Sequence, residues 1–149
     1  MTTAERAEEE DIGTSRGGRT TKCHAVCDAQ GRLRRFCLTA GQRHDMVPVW
    51  ELLDETPLDV EVVIADKAYD SHELREWLEA EGLTGVIPRR NHDGQRPSEN
   101  QDYYRERNLI ERAFNRLKDF RRVATRYDKR SHVFEATIAL AAIKTWFLI

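Results

Sequence analysis

The sequence predicts an α/β domain in which helices flank a mixed β-sheet. Three observations carry this prediction. Two short apolar segments are joined by a turn sequence, a nearly continuous β-branched run occupies residues 60–65, and the stretches 104–124 and 133–149 have the apolar content of helices. A chain of 149 residues is about the size of one domain and long enough to bury a core. We therefore expect one α/β domain over residues 20–149.

The N-terminal part is predicted to be a flexible lead-in followed by a β-hairpin. Residues 1–19 are acidic, then rich in Gly and Arg, and show no apolar periodicity. Segments 22–27 and 33–39 are short and rich in apolar residues, and the sequence Asp28-Ala-Gln-Gly31 between them has the composition of a turn. We therefore expect these two segments to pair as antiparallel strands.

Two aspartates stand beside the next predicted elements. Asp45 ends a loop just before a helix predicted over 46–54, in which Pro48 is tolerated in the first turn, so we favour an N-cap over a catalytic role. Asp66 follows the strand at 60–65, whose β-branched residues are typical of burial on both faces. Because ligands gather at the carboxyl ends of strands in open α/β sheets, Asp66 is a candidate for chemistry, although an Asp in a strand-ending turn is common.

A helix, a short strand and a polar loop are predicted next. Asp70-Ser-His-Glu73 resembles a capping box that starts a helix over 71–81, and Gly82 stops it. Residues 84–87 read as a short strand closed by a proline. The following stretch, 89–101, is polar and broken by Gly and Pro, and we expect its basic residues to face whatever the site binds.

The helix that begins near Tyr104 carries the most informative pattern. One apolar stripe predicts a face packed on a core, and it consists of Ile110, Ala113, Leu117 and Phe120. A second stripe has spacings of three, four and seven, which keep its members on one helix face: Tyr104, Arg107, Glu111 and Lys118. An ordinary i,i+4 ion pair between Arg107 and Glu111 would explain part of this second stripe.

Charge is unevenly distributed along the chain, although the formal net charge is only −2. Residues 4–11 contain five acids and one Arg, whereas 105–130 contain ten Arg and Lys against four acids, a formal charge of +6. A basic cluster along a helix is the electrostatic footprint expected of a surface for phosphates. A solvated helix face is the simpler explanation if that stretch is taken alone.

Three cysteines, an odd number without the paired spacing of a zinc site, indicate a reducing compartment. Cys23 and Cys27 are most simply small apolar residues of a strand. The N-terminus has no signal region of basic and apolar residues, and Lys144 interrupts the longest apolar run. We therefore expect a cytoplasmic protein that does not insert into a membrane.

Taken together, these segments resemble the insertion-sequence transposases of the DDE class. The spacing Tyr-x2-Arg-x3-Glu-x6-Lys of the helix matches the signature of one large group in that class. The other matching motifs are Ser15-Arg-Gly-Gly18, Thr21-Lys-Cys-His24, Thr39-Ala-Gly-Gln-Arg-His-Asp45, Ala65-Asp-Lys-Ala-Tyr-Asp70 and Phe120-Arg-Arg-Val-Ala-Thr-Arg-Tyr-Asp128. The resemblance runs from about residue 16 to the C-terminus and implies an RNase H-like fold.

By this resemblance, Asp66 is the second and Glu111 the third of three catalytic, metal-binding acids. Two divalent ions, Mg2+ or Mn2+, would activate a water or a DNA 3′-hydroxyl for in-line attack on a phosphodiester. Tyr104, Arg107 and Lys118 would contact DNA near the transposon end. The rest of the basic face would add salt-dependent affinity that is independent of sequence. It includes Arg112, Arg121 and Arg122.

One feature of the family is missing from the sequence. In the family, the first acid lies on a central strand that precedes the one beginning here near Lys22, and residues 1–19 offer no such strand. Asp11 is the only Asp upstream, and the sequence EEEDIG around it is a poor strand. Loss of a central strand would remove a metal ligand and expose the edges of its two neighbours, which favours pairing with another chain. The fold we expect is therefore an RNase H-like mixed sheet that lacks its first strand.

Two functions from different classes follow. The first is the C-terminal part of a DDE transposase, which acts on double-stranded DNA at transposon ends and target. As an isolated chain it would be incomplete, either a remnant or the downstream product of a frameshifted element. The second is a non-catalytic DNA-binding or regulatory fragment that joins full-length subunits as an inhibitor. Both imply self-association or association with a full-length transposase. An RNase H-like nuclease of another kind would need an acid from elsewhere.

Overall fold

The computed structural model of the chain describes residues 6, 10–16, 18–54, 60–89, 103 and 105–148. The elements in chain order are β1 (Gly13–Ser15), β2 (Gly18–Cys27), β3 (Leu33–Ala40), α1 (Val49–Asp54), β4 (Val62–Ile64), α2 (His72–Ala80), β5 (Thr84–Val86), α3 (Asn108–Lys118), α4 (Arg121–Ala124) and α5 (Ser131–Trp146). A short 3-10 turn, Lys67–Tyr69, lies between β4 and α2. The α/β class predicted from the sequence is confirmed.

The described strands form two sheets of different kinds. β1, β2 and β3 form an antiparallel sheet in that order, while β4 pairs in parallel with β5. In the hairpin, the pairs run from Thr21 opposite Ala40 to Cys27 opposite Leu33. The predicted hairpin is therefore confirmed, and the two sheets differ in strand direction.

The hairpin turn is held by side-chain bonds from Asp28. Its carboxylate accepts hydrogen bonds from the backbone N–H groups of Gln30 and Arg32, both at 3.0 Å, and from Arg32 Nε at 2.8 Å. Gly31 has a φ of +70°, a left-handed conformation that a side chain disfavours. The turn composition read from the sequence thus sets the strand register.

Part of the segment before β2, which was predicted as a lead-in, has regular structure. Residues 13–15 form β1 against the start of β2. Asp11 precedes β1, and its carbonyl oxygen accepts a hydrogen bond from Thr21 Oγ1 at 2.6 Å. This segment forms a strand because it pairs with β2, which follows it in the chain. Apolar periodicity within residues 1–19 does not indicate such pairing.

The N-cap role predicted for Asp45 is wrong. Helix α1 begins at Val49, not at residue 46, and the Asp45 carboxylate instead accepts from Lys22 Nζ at 2.8 Å. Pro48 explains the later start, because the residue before a proline is disfavoured in the α region. Asp45 therefore joins its loop to β2.

The elements around Asp66 follow the prediction with shorter bounds. Ser71, not Asp70 of the predicted capping box, caps α2, since its Oγ accepts from the Leu74 N–H at 3.1 Å. Gly82 follows the helix with a φ of +72°. The strands at 60–65 and 84–87 are confirmed as β4 and β5. The side chains of β4 are half-buried, not buried on both faces, because within the described ranges β4 has a partner strand on one side.

The informative helix is shorter than predicted. One helix from 104 to 124 was expected, but α3 ends at Lys118 and α4 is a separate turn. The break falls at Phe120, whose backbone is extended, with φ −84° and ψ 114°, and whose ring packs on a core. The predicted apolar stripe is confirmed, since Ala113 and Leu117 are each 1% exposed.

Two apolar clusters lie beneath these elements. The hairpin cluster joins β3, α3 and α5 and contains Leu33, Leu38, Leu117, Phe134, Ile138, Ala141 and Ala142. The parallel-sheet cluster joins α1, α2 and the end of β5 and contains Val49, Leu53, Leu74, Leu78 and Ile87. Burial of such side chains is the main stabilising term in a domain of this size. Glu111 projects from a helix on the first cluster, while Asp66 lies beside the second.

Candidate active site and nucleic-acid interface

Asp66 follows β4 and caps the 3-10 turn. Its Oδ1 accepts a hydrogen bond from the Ala68 N–H at 2.7 Å, and its backbone carbonyl accepts from the Tyr69 N–H at 3.1 Å. The strand end is held to β5, since the Ala65 N–H donates to the Val86 carbonyl at 3.2 Å. Asp66 therefore takes the strand-ending turn position that we considered as its simpler explanation. Capping engages one of its two carboxylate oxygens.

Tyr69 fixes the far end of that turn. Its hydroxyl oxygen lies 3.0 Å from His24 Nδ1, and His24 Nε2 lies 2.9 Å from Thr39 Oγ1. Burial lowers the pKa of His24, and burial raises the pKa of Tyr69. At neutral pH, the imidazole is therefore neutral and the phenol is protonated. A neutral imidazole donates at one nitrogen and accepts at the other, so each hydroxyl has a partner.

Asp70 anchors the turn to the rest of the parallel-sheet cluster. Its Oδ1 accepts from Arg75 Nε at 2.9 Å and from Arg75 Nη2 at 2.7 Å. The same Nη2 donates to the Ile87 carbonyl at 2.7 Å. Arg75 thus ties the turn to helix α2 and to the residue that follows β5. Our sequence reasoning did not identify Arg75, although the five-residue spacing from Asp70 on a helix start is a usable signal.

Glu111 lies in the first turn of α3, with 54% of its side chain exposed. Arg107 Nη2 contacts its Oε1 at 2.7 Å, which is the i,i+4 pair considered from the sequence. Such pairs contribute a few tenths of a kcal/mol. A carboxylate is also favoured near a helix N-terminus. Glu111 is therefore accessible and weakly held.

The described residues contain no group of three or more His, Cys, Asp or Glu side chains that could hold a metal ion. Asp66 and Glu111 provide two carboxylates from two different elements. Carboxylates are the ligand type that suits a hard cation such as Mg2+, which in proteins often uses one or two of them and keeps several waters. The cysteines do not suit such an ion, and burial raises the pKa of Cys23 and Cys37 to about 12, so both stay protonated.

The basic residues predicted to contact DNA lie on one continuous part of the chain. Arg112, Lys118, Arg121 and Arg122 are exposed. Tyr104 lies outside the described residues, as does the predicted basic loop at 89–101 apart from Arg89. The α3–α4 segment therefore presents cations to solvent.

Two of these cations are oriented by neighbouring side chains. Arg122 Nη2 donates to both carboxylate oxygens of Asp128, at 2.7 and 2.9 Å, and this contact raises the pKa of Arg122. Arg121 Nε donates to the Tyr127 hydroxyl at 3.2 Å. Both guanidinium groups remain exposed to solvent. Their neighbours therefore fix their positions without burying them.

Arg126 joins the N-terminal segment and β2 to the stretch before α5, a role that we did not predict from the sequence. Its Nη1 donates to Thr21 Oγ1 at 2.6 Å, its Nη2 donates to the Glu10 carbonyl at 2.8 Å, and its guanidinium carbon lies 5.1 Å from the centre of the Phe134 ring. Burial lowers the pKa of Arg126, and the nearby acids, including Asp11, oppose that shift. The opposite charges of residues 4–11 and 105–130 were the signal that could have indicated this contact.

The same N-terminal segment reaches the start of helix α5. The Glu10 carboxylate accepts from the Ser131 N–H, and the Asp11 carboxylate accepts from Ser131 Oγ, both at 2.5 Å. Acids at a helix N-terminus are stabilising. Asp11, the only Asp upstream of β2, thus contacts α5 and lies outside a strand.

None of the helices in the described part of the chain has the length and apolarity needed to span a bilayer.

Comparisons with known proteins agree with the resemblance. The family described as "Transposase DDE domain" matches residues 2–146. A Brucella ovis protein named "Putative transposase for insertion sequence element IS6501" is 37% identical over 131 residues, which cover 85% of this chain and 98% of that protein. A Burkholderia cepacia protein named likewise for element IS402 is 28% identical over 137 residues, which cover 85% of this chain and 63% of that protein. No solved structure matches the chain.

Proposed function

Because the chain belongs to the transposase DDE domain family, we propose that it cleaves and joins DNA strands by metal-dependent phosphodiester chemistry within an insertion-sequence transposase. The observation that carries the proposal is the family match across residues 2–146. Asp66 and Glu111 support it, since both are accessible carboxylates on separate elements. These two residues are the proposed catalytic acids.

An RNase H-like arrangement without its first strand is part of this proposal. Strands β2 and β4 belong to different sheets in the described part of the chain. Among the described strands, β1 pairs only with residues 18–20 of β2, so residues 21–27 pair on one edge, with β3. A strand on their other edge would join the antiparallel and parallel sheets into one mixed sheet. That position is where the family carries its first acid, so the sheet and the acid cluster would be completed together.

We propose that Asp66 and Glu111 hold Mg2+ or Mn2+. When bound, such an ion supplies Lewis-acid stabilisation and an activated nucleophile. The chain's own residues prepare the two carboxylates. The Ala68 N–H fixes the orientation of Asp66. Arg107 holds Glu111 and can transfer its hydrogen bonds to a phosphate when DNA arrives.

Double-stranded DNA is the proposed partner of the basic segment. Tyr104, Arg107 and Lys118 would contact the transposon end, while Arg112, Arg121 and Arg122 would contact phosphates without regard to sequence. Because the exposed cations of α3 and α4 act mainly through phosphate neutralisation, binding should weaken steeply as salt rises.

The isolated chain, with two acids, is proposed to bind metal weakly and not to transfer strands. A second copy or a full-length transposase would complete it. The alternative is a non-catalytic DNA-binding or regulatory fragment of a transposase. The observation in favour of that alternative is the exposure of the cations of α3 and α4, which can bind phosphates without a metal ion.

Metal and DNA binding separate these two functions. Mn2+ binding to the purified chain, followed by electron paramagnetic resonance, should be lost in Asp66→Asn and in Glu111→Gln. It should persist in Glu79→Gln, a matched change of an exposed acid on α2. If DNA binding is unchanged by Asp66→Ala and insensitive to added Mg2+, the non-catalytic alternative is correct. Mg2+-dependent cleavage of a transposon-end duplex by residues 1–149 alone would overturn the proposed incompleteness.

A further inference from the structure

A polar link connects the two halves of the candidate site. Tyr69 packs against the parallel-sheet cluster, three residues after Asp66. Its hydroxyl reaches across to His24 on β2, in the other sheet, at 3.0 Å. The two rings meet edge to face, with an interplanar angle of 81°. The Asp66 turn is therefore bonded directly to the β2–β3 hairpin.

The hairpin side of this link is buried and fully bonded. His24 and Thr39 are each 4% exposed. They lie diagonally across β2 and β3, because Thr39 is directly opposite Lys22, and the bond between His24 Nε2 and Thr39 Oγ1 measures 2.9 Å. Breaking this bond would leave a buried polar atom without a hydrogen-bond partner, which is costly. The imidazole is therefore held in one orientation.

Nearby charges leave the link neutral. Lys22 and Asp45 are the charged groups that act on His24, and they are bonded to each other at 2.8 Å. Their effects on the imidazole have opposite signs. The link is thus a chain of three neutral groups, and it stays formed around neutral pH.

The Asp66 turn has three fixed points. The Ala68 N–H binds the Asp66 carboxylate, and Arg75 binds Asp70 inside the parallel-sheet half. The third point, the Tyr69 hydroxyl, leads to the hairpin half. Helix α3 packs on that hairpin half through Leu117, and it carries Glu111. The Tyr69–His24 bond is therefore one of the contacts that connect the Asp66 turn to the half that carries α3.

We propose that His24, supported by Thr39, is a positioning residue that sets the place of the Asp66 carboxylate relative to Glu111 through the Tyr69 hydroxyl. His24 touches neither metal nor DNA in this role. The inference rests on the proposed function, in which Asp66 and Glu111 hold the same metal centre. Residues that orient metal ligands from behind typically change metal affinity by ten- to a hundredfold when mutated.

The first test removes one oxygen atom. Tyr69→Phe keeps the ring that packs on the cluster and deletes the hydroxyl. We expect Mn2+ to bind about tenfold more weakly to this variant, and the Ala68 amide to exchange with solvent faster than amides elsewhere in the parallel-sheet half. Tyr127→Phe is the matched control, since it removes a hydroxyl that is bonded to Arg121 on the surface. It should leave Mn2+ affinity unchanged.

The second test restores the bond from the other side. The side-chain amide of His24→Asn can place a donor near the position of Nδ1, whereas His24→Leu cannot. We expect His24→Asn to recover part of the Mn2+ affinity that His24→Leu loses. Combining Tyr69→Phe with His24→Leu should cost no more Mn2+ affinity than His24→Leu alone, because both changes break the Tyr69–His24 bond.

The outcomes separate this inference from the function on which it rests. If Asp66→Asn abolishes Mn2+ binding while Tyr69→Phe binds like the wild type, the positioning role is overturned and the proposed function stands. If the wild type does not bind Mn2+, or Asp66→Asn binds it equally well, the proposed function and the positioning role both fall. Faster exchange in Tyr69→Phe spread evenly over all amides would indicate general destabilisation and overturn the positioning role.

Discussion

Asp66 and Glu111 are held in opposite ways. Asp66 is half-buried, and a backbone N–H binds its carboxylate within a turn that is itself fixed at both ends. Glu111 is exposed on a helix, and its described partner is the side chain of Arg107. The fold thus preorganises one acid, while the other depends on an ion pair that salt or phosphate can replace. A two-acid site built this way has one rigid side and one adjustable side.

The largest expected effects come from the cores beneath the two acids. Leu78→Ala in the parallel-sheet cluster and Leu117→Ala in the hairpin cluster should each lower the free energy of unfolding by about 2–5 kcal/mol, because each side chain is 1% exposed and its loss leaves a cavity. Urea denaturation measures both. A loss below about 1 kcal/mol for Leu78→Ala would mean that the support of Asp66 is loosely packed.

The next largest effect is expected at the side-chain bonds that anchor the Asp66 turn. Arg75→Ala removes bonds to Asp70 and to the Ile87 carbonyl, and should cost about 2 kcal/mol in unfolding free energy, because these are charge-assisted bonds with little exposure. Urea denaturation at low and high salt is the measurement. A strong salt dependence of the Arg75 effect would contradict the assignment of a rigid side, since a partly buried pair is weakly screened.

Lowering the pH should reduce the free energy of unfolding through His24. Its folded-state pKa is lowered by burial, so below the ordinary value of 6.5 the unfolded chain takes up a proton that the folded chain does not. This stability is fully present above pH 6.5 and is lost as the pH falls from there toward the folded-state pKa. Unfolding free energies measured between pH 7.5 and pH 5 should show this slope in the wild type and a smaller slope in His24→Asn. Equal slopes would show that another group titrates in this range.

The smallest effect is expected at Glu111. Arg107→Ala should change the unfolding free energy by only about 0.3 kcal/mol, because the ion pair is largely exposed. The same variant should still weaken DNA binding, which a salt titration of duplex affinity measures. A stability loss above 1 kcal/mol both in this variant and in Glu111→Gln would show that Glu111 is held as firmly as Asp66.

Local chemistry predicted much of the fold, and non-local partners account for the errors. The Asp28 turn involves neighbours within four residues, so its sequence pattern was sufficient. The start of α2 lies one residue later than its pattern indicated, because Ser71 caps it while Asp70 binds Arg75. Asp45 was misassigned because its partner, Lys22, is 23 residues away. A pattern confined to one segment contains no information about such a partner.

The same difference between local and distant partners applies to the candidate site. Asp66 and Glu111 were identified by motif, and their catalytic roles stay predictions. His24 was quoted within a motif but not recognised as structural, because its partners Thr39 and Tyr69 lie 15 and 45 residues away. The support of the site therefore became visible only in the folded chain, whereas the acids themselves could be named from sequence.

The contact between the acidic N-terminal segment and helix α5 has a consequence for the order of folding. Glu10 and Asp11 bond to Ser131 across 121 and 120 residues of sequence, and Arg126 reaches the Glu10 carbonyl across 116. Contacts of such long separation form after local ones, because a long loop must close first. During synthesis, Glu10 and Asp11 would lack these partners until residues 126–131 had emerged. A ribosome-bound chain that stops before residue 126 should therefore leave its N-terminal segment open to proteases.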